Sequence, residues 1–216
     1  MEILRNYLNS VRRDFANRPL DESSVSGNPY DLFEKWFEEA VGAQILDPYA
    51  MIISTSSKDN QPSSRVVYMR DMIDGGLVFY TNYNSDKAAD LEVNPKISAL
   101  FFWGELERQI RVEGWVVKAG DDVSEKYFAS RPRESQIGAW ASEQSSVIVN
   151  RAELEKKVEE LTKKFEGKEV PRPQHWGGFI IQPQRFEFWQ GRPNRLHDRL
   201  KFEKENNSWK LSRLSP

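Results

Sequence analysis

The residues best suited to chemistry in this 216-residue chain gather in the run EFWQGRPNRLHDRL, residues 187–200. Read as an extended strand, in which alternate residues share a face, this run predicts Arg195, His197 and Arg199 on one side. Two guanidiniums flanking an imidazole repel unless an anion or an electron-rich ring lies against them. A phosphate or a planar ring is therefore the natural partner. The plainer alternative is an exposed basic strand whose charges pair with Glu187, Asp198 or Glu203, and the local pattern leaves both open.

Three further clusters carry donors. In SRVVYMR, residues 64–70, Arg65 and Arg70 lie five apart; a regular strand would turn them to opposite faces, so a shared site needs a bulge or a strand end. In YTNYNSDKAAD, residues 80–90, a strand runs into a helix start, where free N–H groups with Ser85 and Lys87 suit a phosphate. An ordinary Ser-capped helix has the same pattern. In KYFASRPRESQIGAWASEQSS, residues 126–146, Tyr127, Arg131 and Ser135 recur every four residues, although Pro132 bends the path; Gln144 and Ser145 follow with amide and hydroxyl groups. Gln109 sits opposite Ile110 and Val112 on its strand and by itself says little. No GxSxG, Walker loop or GxGxxG occurs, and no nucleophile stands with a base and an orienting acid, so the chemistry is expected to belong to a bound cofactor.

The elements that must position these groups follow from periodicity. A helix is predicted over 1–16, then a loop over 17–28, then a helix over 29–42 opened by Asn28-Pro29. From residue 49 the runs AMIISTSS, SSRVVYMRD and GLVFYTN predict an antiparallel meander, and KISALFFWG and ERQIRVEGWVVKAG two more strands turning near Gly104-Glu105. Helices are expected from Ser85 to Val93, over 121–130, after Pro132, and over 150–166, the last with an apolar stripe of Leu154, Val158, Leu161 and Phe165. Three strands near 177–189, 195–204 and 208–213 close the count at seven or eight. With no βαβ alternation, a small antiparallel barrel with peripheral helices is the expected architecture, as one domain over 1–216.

Composition excludes several classes. A net charge of −2, from 31 basic and 33 acidic residues, is unlike a nucleic-acid binder. The absence of cysteine removes disulfides, thiolate nucleophiles and thiolate metal sites, and two histidines argue against a histidine-rich metal centre. No apolar run approaches the ~18 residues of a membrane span, and the first residues do not read as a signal peptide. A cytoplasmic enzyme with no metal is expected. The 26 aromatic residues (seven Trp, seven Tyr, 12 Phe) are expected mostly in packing, with some free to stack on a planar ligand.

The strings FYTN..S.KA, LERQIRVEG, YFASRPRESQIGAWASEQSS, WGGF and EFWQG...RLHDR together resemble the pyridoxine/pyridoxamine 5′-phosphate oxidase family, over nearly the whole chain. The resemblance implies a split β-barrel, mainly β with helices, acting as a homodimer with FMN in the subunit interface and both chains contributing. It implies conversion of pyridoxamine or pyridoxine 5′-phosphate to pyridoxal 5′-phosphate, with O2 reduced to H2O2. By position, Arg65, Val66, Val67, Tyr68, Met69, Arg70, Tyr80, Thr81, Ser85, Lys87, Gln109, Gln144, Ser145, Trp189 and Arg199 would hold FMN. Tyr127, Arg131 and Ser135 would grip the substrate phosphate, Arg70 would lie near substrate and flavin, and Arg195 and His197 would orient the pyridine ring. Arg12 matches a family residue on an N-terminal segment (1–28) that closes over the site. Three positions depart from the family pattern: Asp86 stands for a usual arginine, Arg70 for a frequent lysine, and Phe15 for a usual tyrosine. Two other functions fit the same residues: a related split-barrel flavin oxidase acting on a phenazine-type ring, and a non-catalytic FMN or pyridoxal phosphate binding protein.

Overall fold

A computed structural model describes residues 2–10, 14–15 and 18–216. Among the described residues the chain forms six α-helices, three short 3-10 turns and nine strands. The strands are hydrogen-bonded in one antiparallel sheet, in the order β2 (Pro62–Tyr68), β1 (Ala50–Ser56), β5 (Lys96–Trp103), β6 (Arg108–Lys118), β7 (Trp176–Gln190), β4 (Gly76–Asn82) and β3 (Asp71–Ile73), with β8 (Asp198–Glu205) and β9 (Ser208–Arg213) continuing from β7, and the order is open rather than closed. The expected mainly β architecture is therefore present, with one strand more than the pattern suggested: Asp71–Ile73 (β3) separates from the run before it. The chain divides into two compact units, Met1–Pro48, Leu100–Val112 and Arg185–Pro216 forming the first, and Tyr49–Ala99 with Glu113–Gln184 the second. Strands β5 (Lys96–Trp103), β6 (Arg108–Lys118) and β7 (Trp176–Gln190) each contribute residues to both.

The first unit is organised by helix α2 (Pro29–Gly42). The Asn28 side chain accepts from the Tyr30 N–H at 3.2 Å and Pro29 takes the first helical position, as the sequence predicted. Leu32, Phe33, Trp36 and Ala40 are buried along one stripe. Phe33 meets Phe101 edge-on at 5.3 Å and Trp36 meets Phe188 at 5.4 Å. Phe186, Phe188 and Phe202 are fully buried. Each such side chain stabilises the fold by about 1.5–3 kcal/mol. Strands β8 (Asp198–Glu205) and β9 (Ser208–Arg213) form an antiparallel pair beside β7. Helix α1 covers Glu2–Ser10, and Asp14 and Phe15 beyond it are not helical. Arg12 lies outside the described residues.

The second unit carries the hairpin of β1 (Ala50–Ser56) and β2 (Pro62–Tyr68), the short pair of β3 and β4 (Gly76–Asn82), and helices α3 (Asp86–Val93), α4 (Asp121–Ser130), α5 (Arg133–Ala141) and α6 (Arg151–Lys164). Phe128, Ile137, Phe165, Val170 and Trp176 form its helical core, against which Val158 and Leu161 of the charged helix α6 pack. Strand β4 runs antiparallel to β7, with Tyr80 opposite Gly178 and Thr81 opposite Gly177. A Cβ at Gly178 would lie 2.9 Å from the Ala119 Cβ and 3.0 Å from the Tyr80 ring, and one at Gly177 would lie 2.2 Å from the Tyr83 hydroxyl. The paired glycines of WGGF are thus required by two tyrosines packed against the strand, Tyr80 through its ring and Tyr83 through its hydroxyl end.

Gly178→Ala is expected to destabilise the protein by about 1–3 kcal/mol through overpacking, seen as a lower urea midpoint, with near-UV circular dichroism reporting displaced tyrosines. An unchanged midpoint would mean that the Tyr80 ring is free to move aside.

Candidate functional site

The second unit contains a cavity of about 970 Å³, at the upper end of the size of small-molecule sites. Four cations line it, Arg65, Arg70, Lys87 and Arg131, against one carboxylate, Asp86. None of the four cations forms a salt bridge among the described residues. Strand β2 ends at Tyr68, so Met69 and Arg70 leave the strand alternation, and Arg65 and Arg70 both reach the cavity through the strand end that their spacing demanded.

The cations fall into two pairs. Lys87 is buried on the first turn of α3. Its ammonium donates to Gln144 Oε1 (2.8 Å), Ser85 Oγ (3.1 Å) and Thr81 Oγ1 (3.2 Å), all uncharged. Burial, with Arg65 adding to it and Asp86 opposing, pulls its pKa down from 10.5 to about 8. Arg65 is steered by Thr55, whose hydroxyl accepts from it at 2.8 Å, and by Ser63. Ser145 adopts a left-handed φ of 73°, a conformation that costs about 1–2 kcal/mol, and its hydroxyl accepts from the Asp86 N–H at 3.2 Å. Asp86 itself is exposed at the cavity rim.

The second pair is Arg131 and Arg70. Arg131 caps the end of α4 with extended backbone before Pro132. Its Nη1 is buried with no hydrogen-bond partner, an omission that costs about 1–3 kcal/mol unless something fills it. Burial lowers its pKa, and Arg70 adds to the effect while Tyr127 opposes it. Tyr127 stacks on Tyr80 at 3.8 Å and 8°, and Tyr80 on Trp176 at 5.5 Å and 6°. Burial raises the Tyr80 hydroxyl to about 12, with Asp71 and Tyr127 adding to the shift, so it stays protonated. Ser135 lines the same cavity. Two pairs of cations, each with hydroxyl or amide donors beside it, suit a ligand, or two ligands, bearing two anionic ends. The buried Arg131 Nη1 and the Lys87 ammonium, which has no carboxylate partner among the described residues, both fit phosphate oxygens.

Of the residues expected here, Val66, Val67, Tyr68, Tyr80, Thr81, Gln144 and Ser145 also line the cavity, while Ser85 stands behind Lys87. Met69 does not line it; its N–H donates to the Tyr49 carbonyl. Trp176, Asn82 and Ser142 line it without having been singled out. The WGGF string was the available signal for Trp176, but its pattern alone does not say where the indole points.

Gln109, Trp189, Arg195, His197 and Arg199 belong to the first unit and do not line this cavity. The expected strand over 195–204 begins only at Asp198. Pro193 opens a short turn in which Asn194 (φ 56°) and Arg195 (φ 60°) are left-handed, so Arg195, His197 and Arg199 do not share a strand face. Arg195 is exposed. The Arg199 guanidinium is committed: Nε and Nη2 donate to Glu187 Oε1 at 2.9 and 2.7 Å, and Nη1 to the Ser215 carbonyl at 2.8 Å. Glu187, almost fully buried, also meets Arg111 at 3.2 Å and Arg185 at 3.6 Å. For Arg199 the plainer pairing with Glu187 is therefore what forms.

His197 rests on Trp189 at 4.6 Å and is met edge-on by Phe15 at 5.1 Å. Gly191 makes room for Phe15, since a Cβ there would lie 2.6 Å from its ring. Burial and Arg195 lower the His197 pKa, against Asp198. The Arg192 N–H donates to Nδ1 at 3.1 Å, so the neutral ring carries its proton on Nε2. That tautomer offers a hydrogen-bond donor to a ligand and has its one lone pair already engaged. Gln109 is half-buried on β6.

Known proteins match this chain over most of its length. Residues 37–165 match the family model described as pyridoxamine 5′-phosphate oxidase, and residues 176–216 match that of the pyridoxine 5′-phosphate oxidase C-terminal dimerisation region. A protein named pyridoxine/pyridoxamine 5′-phosphate oxidase from Rubrobacter xylanophilus is 47% identical over 212 residues, covering 98% of both chains. One of the same name from Cupriavidus pinatubonensis is 49% identical over 210 residues, covering 97% of this chain and 99% of the relative. Among solved structures, PhzG from Burkholderia lata in complex with tetrahydrophenazine-1-carboxylic acid has a TM-score of 0.86 at 30% identity, covering 93% of this chain and 99% of that one. A pyridoxamine 5′-phosphate oxidase-related, FMN-binding protein from Nostoc punctiforme shares the fold, with a TM-score of 0.69 at 12% identity and coverage of 89% of this chain and 100% of that one.

The lowered Lys87 pKa has two consequences of opposite use. In the ligand-free protein the unfolded chain binds more protons than the folded one between pH 8 and 10.5, so the Lys87 contribution to stability improves as pH rises through that window. A phosphate monoester, dianionic throughout, needs the ammonium, so its affinity is expected to fall roughly tenfold from pH 7 to pH 9. Calorimetric titration checks this. Lys87→Met should bind weakly at both pH values and lose this pH dependence; a variant retaining the wild-type slope would assign the titration to another group.

Proposed function

Because the chain belongs to the pyridoxine/pyridoxamine 5′-phosphate oxidase family, we propose that it oxidises pyridoxamine or pyridoxine 5′-phosphate to pyridoxal 5′-phosphate, with FMN as cofactor, as a cytoplasmic homodimer. The observation that carries this proposal is the charge arrangement of one cavity: four cations in two pairs, none in a salt bridge among the described residues, with one carboxylate at the rim. Two dianionic phosphate tails, one from cofactor and one from substrate, match two cationic pairs. A single-phosphate ligand leaves one pair uncompensated.

Lys87, Arg65, Thr81, Gln144 and Ser145 are assigned to the FMN phosphate, with Ser85 fixing Lys87 from behind. The segment Arg65 to Arg70 is assigned to the rest of the cofactor. Strand β2 stands at one end of the sheet order and so turns one row of main-chain groups away from its neighbour, as a planar ring with a hydrogen-bonding edge requires. Arg131, Tyr127 and Ser135, with Arg70, are assigned to the substrate phosphate. FMN, when bound, would supply the two-electron acceptor for the substrate C4′–H bond and a route for the pair to O2, giving H2O2. The imine formed from pyridoxamine phosphate then takes up water and releases ammonia to give the aldehyde, whereas the alcohol of pyridoxine phosphate gives the aldehyde directly. This chain's residues hold the reactants in place, which can itself supply much of the barrier reduction. Arg195, His197, Trp189, Arg199 and Gln109 are assigned by the resemblance to the pyridine ring and the flavin, both chains of the dimer contributing to each site. The His197 tautomer supports orientation of the ring through Nε2–H over removal of a proton by His197.

The similarity to PhzG favours a second proposal, oxidation of a reduced phenazine carboxylic acid. Such a substrate carries a carboxylate and no phosphate, and so leaves the Arg131 group with more charge and more donors than it needs.

The purified protein is expected to be yellow or to become so with added FMN, and to release aldehyde and peroxide from pyridoxamine 5′-phosphate in the presence of oxygen. A protein that takes up no FMN would defeat both proposals. A yellow protein inert on pyridoxamine phosphate but active on tetrahydrophenazine-1-carboxylic acid would establish the second, and one inert on both would be a binding protein. Arg195→Ala and His197→Ala are expected to lower turnover at least tenfold, in keeping with the loss of a positioning group, while FMN stays bound. Wild-type turnover in both would remove them from the substrate side.

A further inference from the structure

Arg131 is assigned to the substrate phosphate, yet among the described residues no hydrogen bond or ion pair explains what holds its guanidinium ready. It leaves the end of α4 on extended backbone, has no salt bridge among the described residues, and keeps a buried Nη1 without a hydrogen-bond partner. An arginine side chain so placed has rotamer freedom worth about 2 kcal/mol to lose when a ligand arrives. What touches it is aromatic. Its guanidinium carbon lies 4.6 Å from the centroid of the Trp176 ring and 5.7 Å from that of Phe128. Tryptophan is the best of the aromatic partners for a cation, the more so where water is excluded.

Trp176 is itself fixed. It is 7% exposed, its main-chain N–H donates to the Pro173 carbonyl at 3.0 Å, and its main-chain carbonyl accepts from Arg172 at 2.8 Å. It opens strand β7 two residues before Gly178, the partner of Tyr80. With no side chain at Gly178, the indole and the Tyr80 ring lie parallel, 5.5 Å apart, and Tyr80 in turn carries Tyr127 at 3.8 Å. One ring thus bears on two of the groups assigned to the phosphate, Arg131 directly and Tyr127 through Tyr80.

We propose that Trp176 is a positioning residue for the substrate phosphate: its indole face presets the Arg131 guanidinium, and its stack with Tyr80 presets the Tyr127 ring. This inference rests on the assignment of that end of the cavity to a phosphate. It predicts that Trp176 governs affinity for the phosphate group and not the chemical step or the cofactor. Lys87 and its partners are held by contacts that do not involve the indole.

The test compares FMN-loaded wild type with Trp176→Leu and Trp176→Phe. For Trp176→Leu the KM for pyridoxamine 5′-phosphate, and the calorimetric Kd for pyridoxal 5′-phosphate, are expected to rise about tenfold, the scale of a desolvated cation–π contact. The turnover number and the Kd for FMN should stay within about twofold. Trp176→Phe, which keeps an aromatic face, should recover most of the loss. Unchanged KM and Kd in both variants would overturn the proposal, as would an equal loss of FMN and phosphate-ligand affinity. Should the leucine variant fail to fold, the phenylalanine variant decides: a rise of about two- to threefold confined to the phosphate ligand supports the proposal, and no rise overturns it. Failure of the functional assignment is distinguishable, because a wild type that never turns over pyridoxamine phosphate would still yield the pyridoxal phosphate Kd on which Trp176 is judged.

Discussion

Lys87 carries its charge inside the second unit with only neutral oxygens to receive its protons. A buried ammonium of this kind is unfavourable until an anion arrives, and the same burial pulls its pKa down to about 8. Arg131 repeats the condition with a buried, unsatisfied Nη1. The stability of the ligand-free protein is lowered at both ends of one cavity, and the lost stabilisation becomes available to whatever brings negative charge. Burial of unpaired like charges is tolerated only if the surrounding structure cannot relax to relieve it.

That rigidity comes from uncharged contacts. Gly177 and Gly178 remove the side chains that would keep Tyr83 and Tyr80 off strand β7, and the parallel rings of Trp176, Tyr80 and Tyr127 form one wall. Ser145, in a left-handed conformation, ties the loop that carries Gln144 to the first residue of α3. Asp86 is better understood in this frame. At the helix start an acidic residue favours the dipole, and at the rim it holds part of the Lys87 charge in place while leaving the buried donors to the ligand.

In the first unit the charges are arranged differently. Glu187 is buried and anchors Arg199 with Arg111 and Arg185 around it, so three guanidiniums share one carboxylate. This fixes Arg199 before any ligand arrives. His197 sits against aromatic rings with Nδ1 satisfied by the backbone, which leaves the exposed Arg195, held on a strained left-handed turn, as the most adaptable member of the set.

Local patterns located the helices from α2 onward, while the first, expected over 1–16, covers Glu2–Ser10. Asn28-Pro29 and Asn150 open their helices with a side-chain cap and Pro132 opens α5 by its fixed φ, whereas the Ser85 hydroxyl, expected to cap α3, donates instead to the Asn82 carbonyl. Local patterns also sufficed to name most of the cavity's polar residues, whose types and order carry the family likeness. Tertiary structure alone decided which of these groups meet. Strand periodicity failed at Arg195 because two successive left-handed residues after Pro193 reset the side-chain direction, and alternation holds only while φ and ψ stay extended. Arg199 was legible as a cation, but its commitment to Glu187 depends on the pairing of β7 with β8, twelve residues apart along the chain. Trp176 was visible only as part of a string. Its meeting with Arg131 depends on a strand and a helix end 45 residues apart in sequence being packed together, and no local rule specifies that distance.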